Sequence, residues 1–385
     1  MNGSMAVLHV MWNPRTGPWS VIRELATAQK KSRLYSMVKV GILADSSWPI
    51  EYLHELQQLQ IPFWVKQVPK FPCENATFFF FYCFRPRLNK WLLDIANSTG
   101  AKKIIVHFHN AWRSGVFMPL IEKAGASEIK PVVTFHGVNL KLLEQPLRLR
   151  LNRLFASRLI DGQPIQLVSC DAYNVPFAEK VFHIRQDFFS IVHNGVPDPG
   201  LRSCPFLIQN QNFTVGHIGS ISGRKGWRIT AAAIKKLHSK GFPIYGIFAG
   251  SGTTKEEQDL RNMAAETDCL KFLGHVPFPQ RNLMPQLDVL SMMSIHEGLP
   301  MSMIEAMSVG LPVISTKVGG IPEVLQNGIN GIFSERTEDS LSDKILDLYH
   351  NRKKLQKLHL QAMAIFSTKF TADHMALNYH EIYQK

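Results

Sequence analysis

The chain has 385 residues, too many for one small hydrophobic core, so two domains are the natural expectation. Hydrophobic residues at 45% and charged residues at 19% exclude wholesale disorder, and no apolar run reaches the roughly 18 residues needed to cross a bilayer. Lys and Arg total 43 against 30 Asp and Glu, and a net charge of +13 suits phosphate, nucleic acid or an anionic membrane surface.

From the amino terminus, Met1–Trp12 lacks the basic segment and long apolar stretch of an export signal, and Val7–Met11 reads as a first strand. The loop W-N-P-R-T-G-P-W-S follows at Trp12–Ser20. Gly17, close to a helix start, can admit a ligand near the backbone, although two prolines and a glycine equally suit a plain turn. A helix is predicted over Trp19–Lys31, then strands at Met37–Leu43 and Phe63–Val65. The block F-F-F-F-Y at Phe78–Tyr82 is expected in the core or in a buried strand, with a membrane-touching or acceptor-lining segment as the sharper alternative. A helix over Arg87–Ser98 precedes strands at Ile104–Phe108, Pro131–Thr134 and Gln166–Ser169.

Two of these strands end in histidines, H-F-H-N at His107–Asn110 and T-F-H-G at Thr134–Gly137. In open α/β sheets ligands bind outside the carboxyl ends of strands, where a histidine can meet a sugar or move a proton. His107 and His109, two apart, point the same way. They suit a metal pair, but no third ligand stands out, and a strand-end histidine is also commonly structural.

The stretch Asn194–Gln211 is rich in Pro, Gly and Asn and reads as a linker. The expected division is 1–195, a linker at 196–211, a second domain at 212–367 and a terminal helix at 368–385. Residues 1–200 hold 23 basic and 14 acidic side chains, +9, and the remainder 20 and 16, +4, so the first half carries most of the excess. A second strand series follows at Phe213–Ile218, Tyr245–Ala249, Leu270–Phe272, Val289–Met293, Pro312–Ser315 and Gly331–Phe333. Helices over Arg228–Ser239, Thr254–Thr267 and Met303–Ser308 lie between them. Strands alternating with helices in two series predict an α/β fold of two Rossmann-like domains with parallel sheets. The cysteines, Cys73, Cys83, Cys170, Cys204 and Cys269, form no C-x-x-C pair, so neither a zinc site nor a disulfide framework follows and a reducing cytoplasm is expected. The sequons at Asn75, Asn97 and Asn212 carry little weight without an export signal.

Two segments of the second half can hold an anion. G-H-I-G-S-I-S-G-R-K-G-W, Gly216–Trp227, follows a strand and joins four glycines to Arg224 and Lys225, which suits a diphosphate or a basic surface turn. It is neither a P-loop nor a dinucleotide fingerprint. The segment from Glu297 to Glu323 is a strand–turn–helix unit in which Glu297 and Glu305 flank the helix start. Helix N-termini attract anions, and the two carboxylates can hold hydroxyl-rich parts of one ligand; ordinary surface glutamates fit the pattern as well. No D-x-D pair is present to hold a metal–nucleotide complex.

Taken in order, G-x-I-G…K-G, F-L-G-H-V, Glu-x7-Glu, G-L-P-V-I-S-T…G-G-I-P-E and N-G-x-x-G resemble the retaining glycosyltransferases of family 4. The resemblance is densest over about 213–335 and implies a GT-B fold, two Rossmann-like domains facing across a cleft. It implies that Glu297 holds the donor sugar's hydroxyls and Glu305 the ribose. Gly298, Leu299, Pro300, Met301 and Ser302 would offer backbone amides to the diphosphate, and Lys225 would neutralise it. Val276 would lie by the base, and Gly17, Ser220, Arg224 and Asn194 would complete the donor site. His136 would sit near the sugar's reacting face, acting with Glu297 and Lys225 in catalysis. Arg15, Trp19 and His109 are the candidate acceptor contacts. Two departures stand out: Ser220 replaces the family's arginine after Gly219, and Thr16-Gly17 replaces a double glycine.

The expected reaction is transfer of a sugar from a nucleotide donor, UDP-sugar first and UDP-glucose as the narrow choice, to a saccharide or lipid-linked saccharide in cell-surface polysaccharide synthesis. No metal or cofactor is expected, because cations and helix dipole meet the leaving diphosphate. No nucleic-acid partner is expected. A cytoplasmic location, with peripheral contact at the inner membrane face through the basic first half, completes the expectation. The alternatives are a GT-B epimerase or hydrolase of nucleotide sugars, and a non-catalytic basic nucleic-acid-binding protein.

Overall fold

The computed structural model describes residues 5–12, 16–45, 51–69, 74–109, 128–137, 143–146, 149–150, 153–154, 165–201 and 212–385. They divide into two compact units, one comprising Met1–Asn194 with Ala372–Lys385, the other Gly195–Thr371.

In the first unit the strands are β1 (Met5–Trp12), β2 (Met37–Ala44), β3 (Phe63–Gln67), β4 (Lys103–Phe108), β5 (Glu128–Phe135), β6 (Gln166–Ser169) and β7 (Phe189–Ile191). Helices α1 (Thr16–Ser32), α2 (Glu51–Gln58), α3 (Glu74–Asn97) and α4 (Val175–Phe182) intervene. The sheet is parallel, in the order β3-β2-β1-β4-β5-β6-β7. All eight residues of β1 are buried, as expected for a central parallel strand covered on both faces. The chain leaves β1 outward to β3 and returns on the other side as β4. The carboxyl ends of β1 and β4 therefore splay apart at a topological switch point, the ligand crevice of such sheets.

The second unit repeats this plan with β8 (Phe213–Ile218), β9 (Ile244–Ala249), β10 (Leu270–Phe272), β11 (Val289–Met292), β12 (Val313–Ser315) and β13 (Gly331–Phe333), ordered β10-β9-β8-β11-β12-β13. Its switch point lies between β8 and β11. The helices are α5 (Trp227–Ser239), α6 (Thr254–Ala265), α7 (Pro279–Asn282), α8 (Met301–Ser308), α9 (Ile321–Val324), α10 (Glu338–His350) and α11 (Arg352–Lys369). Thr253, Thr337 and Asn351 cap α6, α10 and α11 by accepting a backbone N–H three residues on. Each cap contributes about 1 kcal/mol. Trp227, Phe213 and Phe248 are fully buried in the core. Helix α12 (Ala372–Gln384) belongs to the first unit and packs on α1.

Several expectations are corrected. Phe78–Tyr82 is not a strand but lies within helix α3. An unbroken aromatic block has no period, so pattern alone cannot separate the two. Helix α1 begins at Thr16, placing Gly17 and Pro18 in its first turn, where proline's missing N–H costs nothing. Strand β7 was not foreseen, because three residues are too few to show a pattern. The expected linker does not start free: Val196 N–H donates to Phe370 O at 3.0 Å within the second unit, and 202–211 lie outside the described residues. None of the described helices is long and apolar enough to cross a membrane.

Candidate active site

In the second unit the loops leaving β8 and β11 are tied together at the switch point. Lys225 Nζ lies 2.5 Å from Glu297 Oε1, and Ser294 Oγ donates to the same oxygen at 2.5 Å. Arg224 donates to His296 O at 2.8 Å, and Ile295 N–H donates back to Arg224 O at 2.9 Å. Arg336 clamps both loops by donating to Met293 O and Gly223 O at 3.0 and 2.7 Å. Glu297 is buried, 6% exposed, so its charge needs these partners.

Glycines allow this approach. At Gly319, φ is +58° and an added Cβ would stand 1.7 Å from Glu297 O. At Gly226, φ is +74° and a Cβ would stand 2.1 Å from Met293 O. The K-G motif thus closes on Met293, just past the end of β11, and the G-G-I-P-E motif on the backbone of Glu297. Helix α8 starts next to it at Pro300, and no side chain caps that turn. The first-turn N–H groups of such a helix point at whatever occupies the loop. The arrangement gathers a carboxylate, a lysine, an arginine and a helix N-terminus at the carboxyl ends of the two central strands. That can hold a polyhydroxylated group joined to an anion.

In the first unit the middle of β1 and the carboxyl ends of β4 and β5 hold a buried histidine cluster. His9 Nδ1 lies 2.9 Å from His109 Nε2, and His109 Nδ1 lies 3.1 Å from His136 Nε2. His9 Nε2 lies 2.7 Å from Gln29 Oε1 on α1. His107 is bonded to Tyr383 Oη and Thr134 Oγ1, each at 2.7 Å. Burial holds all four imidazoles neutral, His9 and His136 near 4, with His107 and His109 well below their usual range and further lowered by their histidine neighbours.

Of the sequence candidates, Lys225, Arg224 and Glu297 come together as described. Gly298, Leu299, Pro300, Met301 and Ser302 form the turn and start of α8, with Leu299 and Met301 turned into the core. Glu305 is buried one turn further along α8. Ser220 is exposed in the loop and Val276 half-buried beyond β10. Asn194 is the buried last residue before the second unit. Among the described residues, nothing lies within 4 Å of a Cβ added at Gly17. Arg15 lies outside the described residues.

Two acceptor assignments are corrected. Trp19 is 2% exposed, stacks on Tyr52 and donates its indole N–H to Glu55, so it belongs to the core. His109 is 2% exposed with both ring nitrogens engaged, so it cannot meet an acceptor directly. The third histidine that H-F-H-N lacked is His9, opposite His107 in the β1–β4 register. His9, His107 and His109 each offer a nitrogen within 4.8 Å of the others. The signal was a lone histidine in the otherwise apolar strand M-A-V-L-H-V-M-W. Gln29, Tyr379 and Tyr383 carried no local signal. His217 was also missed. Buried at the end of β8, it is lowered to about 4 by burial and then by Lys225, opposed by the Ser220 backbone.

Residues 212–351 match the family described as Glycosyl transferases group 1. Among the relatives it matches, the uncharacterized glycosyltransferase MJ1178 of Methanocaldococcus jannaschii is 23% identical over 73% of this chain and 75% of its own length. The O-antigen biosynthesis glycosyltransferase WclY of Escherichia coli is 28% identical over 50% of this chain and 55% of its own length. This chain therefore spans about half of WclY. Among solved structures, Anabaena HepE in complex with UDP superposes with a TM-score of 0.77 at 19% identity, over 99% of this chain and 100% of that one. Sucrose-phosphate synthase from Thermosynechococcus elongatus gives 0.70 at 15% identity, over 99% and 98%. The fold is GT-B, and residues 212–351 are similar to glycosyltransferases of group 1.

Proposed function

We propose that this chain is a glycosyltransferase of group 1, a retaining enzyme that takes a sugar from a UDP-sugar without a metal. The observation that carries the reading is the buried Lys225–Glu297 pair at the uncapped start of α8, inside the segment matching the family. HepE has been solved with UDP and with UDP-glucose, which favours a uridine donor and glucose as the first sugar to try.

On this reading Lys225 and Arg224 and the N–H groups of 298–302 meet the diphosphate and stabilise its charge as the sugar leaves. Glu297 turns from Lys225 to the sugar hydroxyls, and Glu305 takes the ribose. Val276 lies by the base, with Gly17, Ser220 and Asn194 completing the donor site. His136 stands at the sugar's reacting face. Retention then follows from attack on the face the diphosphate leaves, with the leaving phosphate taking the acceptor's proton. The relatives include O-antigen and amylovoran biosynthesis glycosyltransferases, which favours a saccharide or lipid-linked saccharide acceptor. The +9 first half supports contact with an anionic inner membrane face.

The test is incubation with UDP-glucose and mixed saccharide and lipid-linked acceptors in the presence of EDTA, following UDP release and the product's anomeric configuration. Acceptor-dependent release with the α configuration kept is the expected result. Release without acceptor would favour the hydrolase, and activity only after metal is restored would overturn the metal-free reading.

A further inference from the structure

Eight groups in the first unit form one unbroken hydrogen-bonded chain. It runs His136–His109–His9–Gln29–Tyr383–His107–Thr134–Tyr379, and its links measure 3.1, 2.9, 2.7, 3.2, 2.7, 2.7 and 2.9 Å. Seven of the eight are at most 2% exposed, and only His136 reaches partly toward the surface. No ring nitrogen of His9, His107 or His109 lacks a partner.

Such a chain has a direction. The amide oxygen of Gln29 only accepts, so His9 carries its proton on Nε2. His9 Nδ1 must then accept, so His109 donates from Nε2. His109 Nδ1 accepts in turn, so His136 donates inward from Nε2. On the other side, Gln29 Nε2 donates to Tyr383, whose O–H serves His107 Nδ1 and leaves His107 to donate from Nε2 to Thr134. One amide thus sets the tautomers of His9, His109 and His136. His136 is left with a bare Nδ1 lone pair that has no partner among the described residues.

We propose that Gln29, His9 and His109 are positioning residues that lock His136 as the Nε2–H tautomer, so that its Nδ1 accepts a hydrogen bond from a ligand hydroxyl. This rests on reading His136 as the group at the sugar's reacting face. A neutral lone pair attracts an O–H and repels an anionic oxygen, so His136 selects the sugar end of the donor over its phosphate. The low proton affinity of the cluster keeps that lone pair uncharged at neutral pH. A metal ion held by His9, His107 and His109 would have to break bonds that all three already make.

The test is a long-range 1H–15N spectrum of the full chain labelled with ring-15N histidine, with His136 assigned by loss of its signals in His136→Gln. His9, His109 and His136 are each expected as Nε2–H tautomers at pH 7. In His9→Phe, and independently in Gln29→Met, His136 should become a tautomer mixture. The turnover of UDP-sugar should then fall about tenfold with the donor KM nearly unchanged. An Nδ1–H His136 in the wild type, an unchanged tautomer in both variants, or histidine signals moved by added zinc would overturn the relay. The tautomer is read without substrate. A protein that shows it yet transfers no sugar supports the relay and refutes the transferase reading.

Discussion

Lys225 and Glu297 face each other at 2.5 Å, and a bound diphosphate sugar would take each of them as a partner instead. On the proposed assignment the two residues fail differently. Glu297→Ala removes the sugar contact, so transfer should be abolished while UDP affinity, measured by calorimetry, stays within a few-fold. Equal loss of both would contradict the sugar role. Lys225→Ala removes a charge-assisted bond of roughly 1.5–3 kcal/mol, so UDP should bind about 10- to 100-fold more weakly while uridine is unaffected. Gly319→Ala tests the backbone that closes on Glu297. A Cβ at 1.7 Å from the backbone carbonyl oxygen of Glu297 cannot be accommodated without shifting that backbone, and with it the side chain it carries. Turnover should drop strongly even though residue 319 need touch no ligand; wild-type turnover would show that the approach is not required.

At the scale of elements, α12 is held to the first unit's sheet by side-chain hydroxyls. Tyr383 accepts from Gln29 and donates to His107, while Tyr379 pairs with Thr134. Tyr383→Phe leaves two buried polar groups unserved and should cost roughly 2–5 kcal/mol in denaturant unfolding. Leu377→Ala, on an exposed position of the same helix at 51%, should change stability by less than about 0.5 kcal/mol. Nearly all the strands were legible because parallel strands read as short apolar runs with β-branched residues, and β8 and β10 fall where that pattern puts them. The Glu297 segment was legible because its chemistry is local: carboxylate, turn, helix start and glycines lie within one stretch of chain. Arg336 was not, since its work is to hold that stretch from another loop, and Ser294, though only three residues from Glu297, shows its role only through its hydrogen bond. The histidine relay was still less legible. Its members come from β1, α1, β4, β5 and α12, and only the sheet register brings His9 opposite His107. Hence a neighbour of a strand-end histidine was mistaken for an acceptor contact.

For the whole molecule, burial of neutral histidines makes stability depend on pH. His9, His136 and His217 have folded-state values near 4, and burial holds His107 and His109 well below their usual range too, against about 6.5 when unfolded. Below pH 6.5 the unfolded chain takes up protons that the folded chain refuses. Stability is therefore complete above that pH and is lost as pH falls from about 6.5 toward 4. His9 alone corresponds to roughly 3 kcal/mol across that window. The melting temperature should fall steeply between pH 6.5 and 4.5 in the wild type and less steeply in His9→Phe; parallel curves would contradict this. The net charge of +13 leaves one rival for the whole chain, binding of nucleic acid through unspecific charge. The most direct measurement is a thermal-shift titration in EDTA with UDP, GDP, ADP and a short single-stranded DNA, on the wild type and Lys225→Ala. A ligand at about 100 times its Kd stabilises the folded state by roughly 2.7 kcal/mol, or about 5–10 °C for a unit of this size. The account predicts a shift of that order with UDP above all, lost in Lys225→Ala. A shift with DNA and none with any nucleotide would contradict it.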